Sequence, residues 1–375
     1  MRGLLIKVII LGVFAAAGCK ERYNATLSPS QTNLLVIEGF INGNGITNIT
    51  LSRTVPLTDT AKFKPEGGAV VNIMGADNSS FDVKEKGNGV YASSALVLNS
   101  NQKYRLHIKT RSGGEYLSEY VAIKQTPPID SVNWKVQNNA VQIYANTHDP
   151  QNNSRYYRWD YQETWEIHSS YPNFYKYVNG VVLQRDLSEV PKLFYCWRSQ
   201  ASTSILIGSS EQLSDDIISQ APIASIPLGS ERLGVRYSIL LQQYATDVKA
   251  YNYFKMMRNN TETLGSIFDA LPSEITGNIV CVSNANEKVI GFVTATIPAE
   301  KRIFITSVQL GVFYSQNCES KLIPNNKDSI KLAFQGGLAP YDAEIVGITI
   351  TGYYSSYPYC IDCTLRGTNV KPSFW

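Results

Sequence analysis

The residues best suited to chemistry lie on one stretch of alternating sequence, Arg155 to His168. Its even positions carry Arg158, Asp160 and Glu166 before His168, and its odd positions are mostly aromatic or aliphatic. Alternation of this length predicts a β-strand with one buried and one wet face. On the wet face, Asp160 and Glu166 are candidates for general acid–base hydrolysis of a glycan. A solvated strand face explains the same pattern, and we therefore expect no catalytic residue and no enzyme.

The sequence lacks the common catalytic and cofactor-binding patterns G-x-S-x-G, H-E-x-x-H and G-x-x-x-x-G-K-[ST]. The pair Cys360 and Cys363 has the spacing of a redox or zinc site, but only a short tail containing Gly367 and Pro372 follows, which does not suit a helix. No second close cysteine pair is present to complete a zinc site. We therefore predict no metal and no cofactor.

Cysteine usage indicates structural disulfides if the chain is exported, because exported proteins meet an oxidising compartment. Five cysteines follow the N-terminal one, so at least one thiol has no intramolecular partner. The spacing does not choose among the possible pairings. The disulfide candidates are Cys196, Cys318, Cys360 and Cys363.

Residues 1–18 have the features of a secretory signal peptide, with Arg2 and Lys7 ahead of an apolar run too short to span a bilayer. The string Ala16-Ala17-Gly18-Cys19 is similar to a bacterial lipobox, although Ala16 stands where Leu is usual. This pattern predicts that Cys19 is acylated and that residues 19–32 form a lipidated tether. An ordinary signal peptide with an incidental cysteine is the alternative.

Tyrosine is unusually frequent, with 23 residues against 13 Phe and 5 Trp. Two clusters each contain the string Ser-Ser-Tyr-Pro, which is typical of loops. Exposed tyrosines in loops offer rigid contact area and a hydroxyl for protein or sugar recognition. Loops folded back with their rings packed are the alternative. The candidate binding residues are Tyr171, Phe174, Tyr175, Tyr177, Tyr353, Tyr354, Tyr357 and Tyr359.

The remaining pattern predicts a mostly β protein. Residues 33–126 contain short strands separated by Gly- and Asn-rich turns, which favours an N-terminal β-sandwich of Ig-like form. Consecutive prolines at 127 and 128 predict a domain boundary. Residues 129–375 are then a larger β-rich domain with one or two short helices, Asp247–Arg258 and, more weakly, Ser214–Gln220.

Charge is nearly balanced, with 34 Lys and Arg against 31 Asp and Glu and a net charge of +3. Nucleic-acid binding needs a clustered basic face, so we expect no nucleic-acid partner.

Several short motifs follow one another along the chain. They are Leu35-Val36-Ile37-Glu38-Gly39-Phe40-Ile41, Ile49-Thr50-Leu51-Ser52-Arg53-Thr54, Tyr156-Tyr157-Arg158-Trp159, Gly265-Ser266-Ile267-Phe268-Asp269, Gly277-Asn278-Ile279, Ile290-Gly291-Phe292 and Arg366-Gly367-Thr368-Asn369. In this order they resemble a family of exported Bacteroidetes lipoproteins of unknown function that are commonly encoded beside TonB-dependent receptors. The resemblance implies an outer-membrane location, with a periplasmic or cell-surface face left open, and a receptor partner. It transfers no catalytic residue.

These observations predict a lipid-anchored outer-membrane protein that acts as an accessory or ligand-binding partner of a TonB-dependent receptor in nutrient uptake. Its ligand would be a glycan or a peptide. A surface hydrolase of glycan or peptide is one alternative, and an adhesin or assembly factor is another.

Overall fold

The computed structural model describes residues 33–56, 63–262, 276–312 and 314–375. The predicted signal peptide 1–18, the lipidated Cys19 and the tether to residue 32 lie outside the described residues. The described part of the chain is mostly β, as the sequence predicts, with curled sheets and five helices. None of these helices is long and apolar enough to cross a membrane.

The strands, in chain order, are β1 (Leu35–Gly39), β2 (Ile41–Asn42), β3 (Asn44–Arg53), β4 (Lys64–Pro65), β5 (Val70–Gly75), β6 (Ser80–Gly87), β7 (Val90–Val97), β8 (Lys103–Lys109), β9 (Glu115–Ser118), β10 (Val121–Gln125), β11 (Ile129–Gln137), β12 (Ala140–Asp149), β13 (Tyr156–His168), β14 (Tyr175–Val178), β15 (Val181–Gln184), β16 (Tyr195–Ala201), β17 (Leu206–Ser209), β18 (Asp216–Pro227), β19 (Arg236–Thr246), β20 (Ile279–Cys281), β21 (Val289–Gly291), β22 (Ala295–Ile297), β23 (Ala299–Thr306), β24 (Lys321–Pro324), β25 (Ala339–Val346) and β26 (Thr349–Ser356). The helices are α1 (Val190–Phe194), α2 (Val248–Glu262), α3 (Ser307–Leu310), α4 (Lys327–Gln335) and α5 (Pro358–Ile361), with 3₁₀ turns at Glu231–Leu233 and Cys363–Leu365.

A curled sheet of thirteen strands forms the first body, in the main order β2-β22-β10-β8-β5-β6-β7-β3-β1-β21. Its core is formed by every second residue of its strands, such as Tyr104, Leu106 and Ile108 of β8. Residues 279–297 return to this sheet, where β21 pairs in parallel with β1 and β22 with β2 and β10. The sequence assigned this segment to the second domain, so the proline boundary at 127 does not separate the two bodies completely.

A second body contains two sheets that share one core, β11-β12-β18 and β16-β13-β19-β23 with β17. On β13 the predicted buried face is observed except at Tyr161, which is half-buried, but the opposite face is less exposed than predicted. Tyr157, Trp159, Glu163, Trp165 and Ile167 are buried against the core. The even-numbered face is half-buried except for an exposed Gln162 and a buried Thr164. One face of this strand therefore remains available for a site.

The predicted helix near residue 250 is observed as α2, whose Ala250 and Tyr253 are buried. Its first turn is capped by Asp247, whose Oδ1 accepts the Ala250 amide at 2.8 Å, rather than by the Thr246 hydroxyl. The weaker helix predicted at Ser214–Gln220 is wrong. Residues from Asp216 onward form β18, because Ile218, Ile223 and Ile226 are buried in the core shared with β12.

The last part of the chain forms a small sheet, β24-β26-β25, packed with α4 and the β14–β15 hairpin. Two disulfides tie this region down. Cys196 is bonded to Cys363, and Cys318 to Cys360, while Cys281 is a buried free thiol. The four predicted disulfide candidates are therefore confirmed, and the structure supplies the pairing that the spacing left open.

Candidate functional site

A cavity of about 430 Å³ opens at the end of β13. We call it the polar cavity. It is lined by segment 166–171, by Glu231, Gly234 and Val235, by residues from segment 314–318, and by Arg366. Part of the lining therefore comes from the second body, and part comes from the disulfide-tied C-terminal segment.

The polar groups of the cavity are fixed by backbone elements. Glu166 and His168 lie two residues apart on the same face of β13, which places His168 Nε2 2.7 Å from Glu166 Oε1. Arg366 follows the 3₁₀ turn that contains Cys363, so the bond to Cys196 fixes its position. Its guanidinium donates to Glu231 and, at 3.1 Å, to the backbone oxygen of His168.

The charged groups in the polar cavity already have hydrogen-bond partners. Glu166 accepts hydrogen bonds from His168 and from Trp375 Nε1, the latter at 3.1 Å, and these bonds lower the pKa of its carboxyl below the ordinary value. Glu231 is paired with Arg366. Arg366 Nε is buried and has no hydrogen-bond partner among the described residues. The cavity thus offers hydrogen-bonding groups, and its charged side chains are already held by partners.

Two phenol rings line the wall of the cavity. Tyr171 stacks on Tyr341 with ring centroids 4.4 Å apart, and its hydroxyl donates to the Cys318 backbone oxygen at 2.8 Å. Tyr314 is 37% exposed and lies on the backbone of Gly234, where an added Cβ would come within 2.9 Å of the Tyr314 Cβ. Burial, helped by the Glu231 carboxylate, raises the pKa of the Tyr314 phenol. Tyr171 is therefore fixed by stacking and by a hydrogen bond, whereas the more exposed Tyr314 packs against Gly234.

The carboxylate pair considered for hydrolysis does not come together. Asp160 and Glu166 are six residues apart on one strand, which separates them by roughly 20 Å. Glycosidase carboxylates lie roughly 5 to 9.5 Å apart, and one of them has a raised pKa. Asp160 is instead paired with Arg158, and the pKa of Glu166 is lowered. These two residues cannot form such a catalytic pair.

Residues 20–302 match the family described as a domain of unknown function, DUF4249. The chain belongs to this family. No curated protein matches the sequence. Among solved structures, one similar chain is a Bacteroides uniformis ATCC 8492 protein proposed to bind carbohydrate, with 10% identity and a TM-score of 0.15 over 58% of this chain and 91% of that one. A likeness this low carries no argument about function. The family match ends before Tyr314 and Arg366, so part of the polar cavity lies beyond it.

The predicted aromatic residues divide into packed and exposed groups in this DUF4249 protein. Tyr175 and Tyr177 lie on β14, where they contact Tyr353 and Phe334 with ring centroids 5.5 and 5.0 Å apart. Phe174 and Tyr354 are half-buried. Tyr175, Tyr177, Tyr353 and Tyr354 are packed because two strands replace the expected loops, and Phe174 directly precedes the first of these strands. Only Tyr171 of the eight lines the polar cavity.

Tyr357 and Tyr359 remain exposed, at 42% and 43%, and their rings stack 5.9 Å apart. They begin α5, immediately before the disulfide at Cys360. Their role in binding stays a prediction.

Sequence reasoning missed Glu231, Tyr314 and Arg366 as functional candidates. Each belongs to a segment far from β13 in sequence, and tertiary packing alone brings them to the cavity. The one sequence feature that pointed to any of them is that Arg366 lies three residues after Cys363, because a disulfide fixes the residues around it. Among the described residues, no group of three or more His, Cys, Asp or Glu side chains could hold a metal ion.

Proposed function

We propose that this protein is a lipid-anchored outer-membrane protein that binds a neutral, hydroxyl-rich ligand in the polar cavity and acts as an accessory of a TonB-dependent receptor. The observation that carries the proposal is the cavity itself. It combines two phenol rings with charged side chains that already have hydrogen-bond partners. Aromatic rings with nearby hydrogen-bonding groups suit sugars, since a ring covers the apolar face and polar groups meet the hydroxyls.

Export and anchoring are supported by separate observations. The lipobox-like string ends at Cys19, and acylation there would add the chains that stable anchoring needs. Two disulfides agree with an oxidising compartment. The receptor partner rests on the motif resemblance described above.

Ligand binding is tested by calorimetry with neutral oligosaccharides and with uncharged peptides of similar size. We expect oligosaccharides to bind and Tyr314→Ala to weaken them about tenfold, because central aromatic contacts often contribute more than 1 kcal/mol. Tyr120→Ala is the matched control, since Tyr120 is 39% exposed and lies on the first body. Binding of peptides alone, or equal loss in the control, would contradict the proposed ligand class.

Anchoring and partnership need an experiment in cells. Tagged wild-type protein should fractionate with the outer membrane and recover a TonB-dependent receptor after mild solubilisation. The Cys19→Ser variant should be absent from the membrane fraction, and the purified variant should still bind the ligand. Recovery of the wild type without any receptor would reject the partnership but not the ligand site.

A further inference from the structure

A second cavity, of about 270 Å³, lies between the two bodies. We call it the interface cleft. It is lined by residues 36–39 of β1, Arg158 and Asp160 of β13, residues 202–205, one side of α2, and residues 290–292. Ligand sites often occur where domains meet, and this volume is near the lower end of their usual size. The cleft would therefore take a small molecule or a single side chain.

The apolar wall of the cleft is mainly aromatic. Tyr253 and Phe254 of α2 lie edge to face, 5.5 Å apart, and Tyr253 also packs on Phe292 at 5.2 Å. Met257 extends this wall by one helical turn. The β1 side approaches closely because Gly291, with φ of 151°, has no side chain; an added Cβ would lie 2.5 Å from the Ile37 oxygen.

The charge on the cleft wall is unbalanced. Arg158 is paired with Asp160, and its guanidinium lies 4.9 Å from the ring centroids of both Tyr244 and Phe254. Its charge is thus already paired, although its Nε is buried and has no hydrogen-bond partner among the described residues. Glu38 is exposed and has no ion pair or hydrogen bond among the described residues. Burial, with a further contribution from Glu38, raises the pKa of Tyr253 to about 12.

From this arrangement we infer that the interface cleft binds an organic cation with an apolar body, its charge beside Glu38 and its body against Tyr253, Phe254 and Phe292. A cation near aromatic faces is attracted by the ring quadrupole as well as by the carboxylate. An anion would meet Glu38 without a free positive partner. Free amines and the side chain of a lysine in a peptide share this chemistry. The site is separate from the polar cavity and does not depend on its proposed ligand.

The probes for a calorimetric test are 2-phenylethylammonium, 2-phenylethanol and 3-phenylpropionate, which present the same ring with a cation, a neutral group and an anion. We expect the cation to bind at least tenfold more tightly than the alcohol, and the anion not to bind. A blocked lysine peptide serves as a fourth probe. Tighter binding of that peptide than of the free amine would identify a protein side chain as the source of the cation.

Two variants locate the site. Glu38→Gln should weaken the cation about tenfold and leave the alcohol unchanged, because only the cation uses the carboxylate. Phe292→Ala should weaken both probes. Glu319→Gln is the control, since its carboxylate is 72% exposed beside the small sheet, where it pairs with Lys321, and lines neither cavity. Equal affinity for cation and alcohol, or no effect of Glu38→Gln, would overturn the inference, and circular dichroism of each variant verifies that it is folded.

Discussion

The two disulfides provide a stability test whose magnitudes follow from the structure. Cys318–Cys360 closes a loop of 42 residues, and Cys196–Cys363 closes one of 167 residues. Each bond restricts the unfolded chain, and the restriction grows with the logarithm of the loop length. The perturbation is a pair of double variants, Cys318→Ser with Cys360→Ser, and Cys196→Ser with Cys363→Ser.

The loop-entropy relation gives a loss of roughly 4 kcal/mol for the shorter loop and roughly 5 kcal/mol for the longer one. The difference is about 1 kcal/mol, since it depends only on the ratio of the two loop lengths. The packing lost around each pair of cysteines also differs. Cys196 and Cys363 are completely buried, whereas Cys318 is partly exposed, so packing adds to the larger loss. We therefore expect the Cys196–Cys363 variant to be the less stable one.

The assay is denaturant unfolding followed by tryptophan fluorescence, with both variants and the wild type measured under the same conditions. Reduced wild-type protein is the control, and it should be less stable than either variant because it loses both bonds. A larger loss for the 42-residue loop than for the 167-residue loop would refute the loop-entropy reasoning. Unchanged stability in both variants would show that the disulfides do not form.

Two further predictions concern carboxylates. Glu163 is 3% exposed and accepts hydrogen bonds from Arg232 at 2.9 and 3.1 Å and from Tyr237 at 3.0 Å. Arg232→Ala should reduce the free energy of unfolding by about 3 to 5 kcal/mol because it leaves a buried charge unpaired, whereas Tyr237→Phe should cost about 1 kcal/mol; equal losses in denaturant unfolding would contradict this. Glu166 has a lowered pKa in the folded state, so its bonds to His168 and Trp375 stabilise the protein above the ordinary value of 4.5 and are lost as the pH falls through the lower folded value. As the pH falls from neutral to below 4.5, the free energy of unfolding of Glu166→Gln should therefore decrease less than that of the wild type. Parallel plots of unfolding free energy against pH for the two proteins would show that Glu166 does not contribute in this way.

Local sequence pattern was sufficient where local geometry decides the structure. Alternation over β13 predicts most of the side chains that enter the core, because a strand turns successive residues to opposite faces; Thr164, buried on the other face, and the half-buried Tyr161 are the exceptions. The same reasoning failed at Ser214–Gln220, where a short mixed run fits a helix and a strand equally well and pairing with β12 selects the strand. The disulfide candidates followed from composition, whereas their pairing depends on tertiary positions.

Long-range pairing was not readable from the sequence. Residues 279–297 join the first sheet through parallel pairs with β1, β2 and β10, more than 150 residues away in each case. Nothing local distinguishes such strands from strands of the second body. The aromatic clusters show the same limit, because Tyr175 and Tyr353 look like loop residues until their strands bring the rings together.

The two cavities differ in their relation to the family. Every residue that lines the interface cleft lies between 36 and 292, within the region 20–302 that matches DUF4249. The polar cavity instead depends on Tyr314, Gln316 and Arg366, which lie beyond that region and are held by the disulfides. If a site occurs wherever the part of the fold that supplies its residues is present, cation binding in the cleft should recur in other members of the family. Binding in the polar cavity should recur only where a comparable C-terminal segment is present. The test measures binding of 2-phenylethylammonium and of neutral oligosaccharides to a DUF4249 protein that lacks such a segment. That protein should bind the amine alone. If it also bound oligosaccharides, the sugar site would lie elsewhere in the fold.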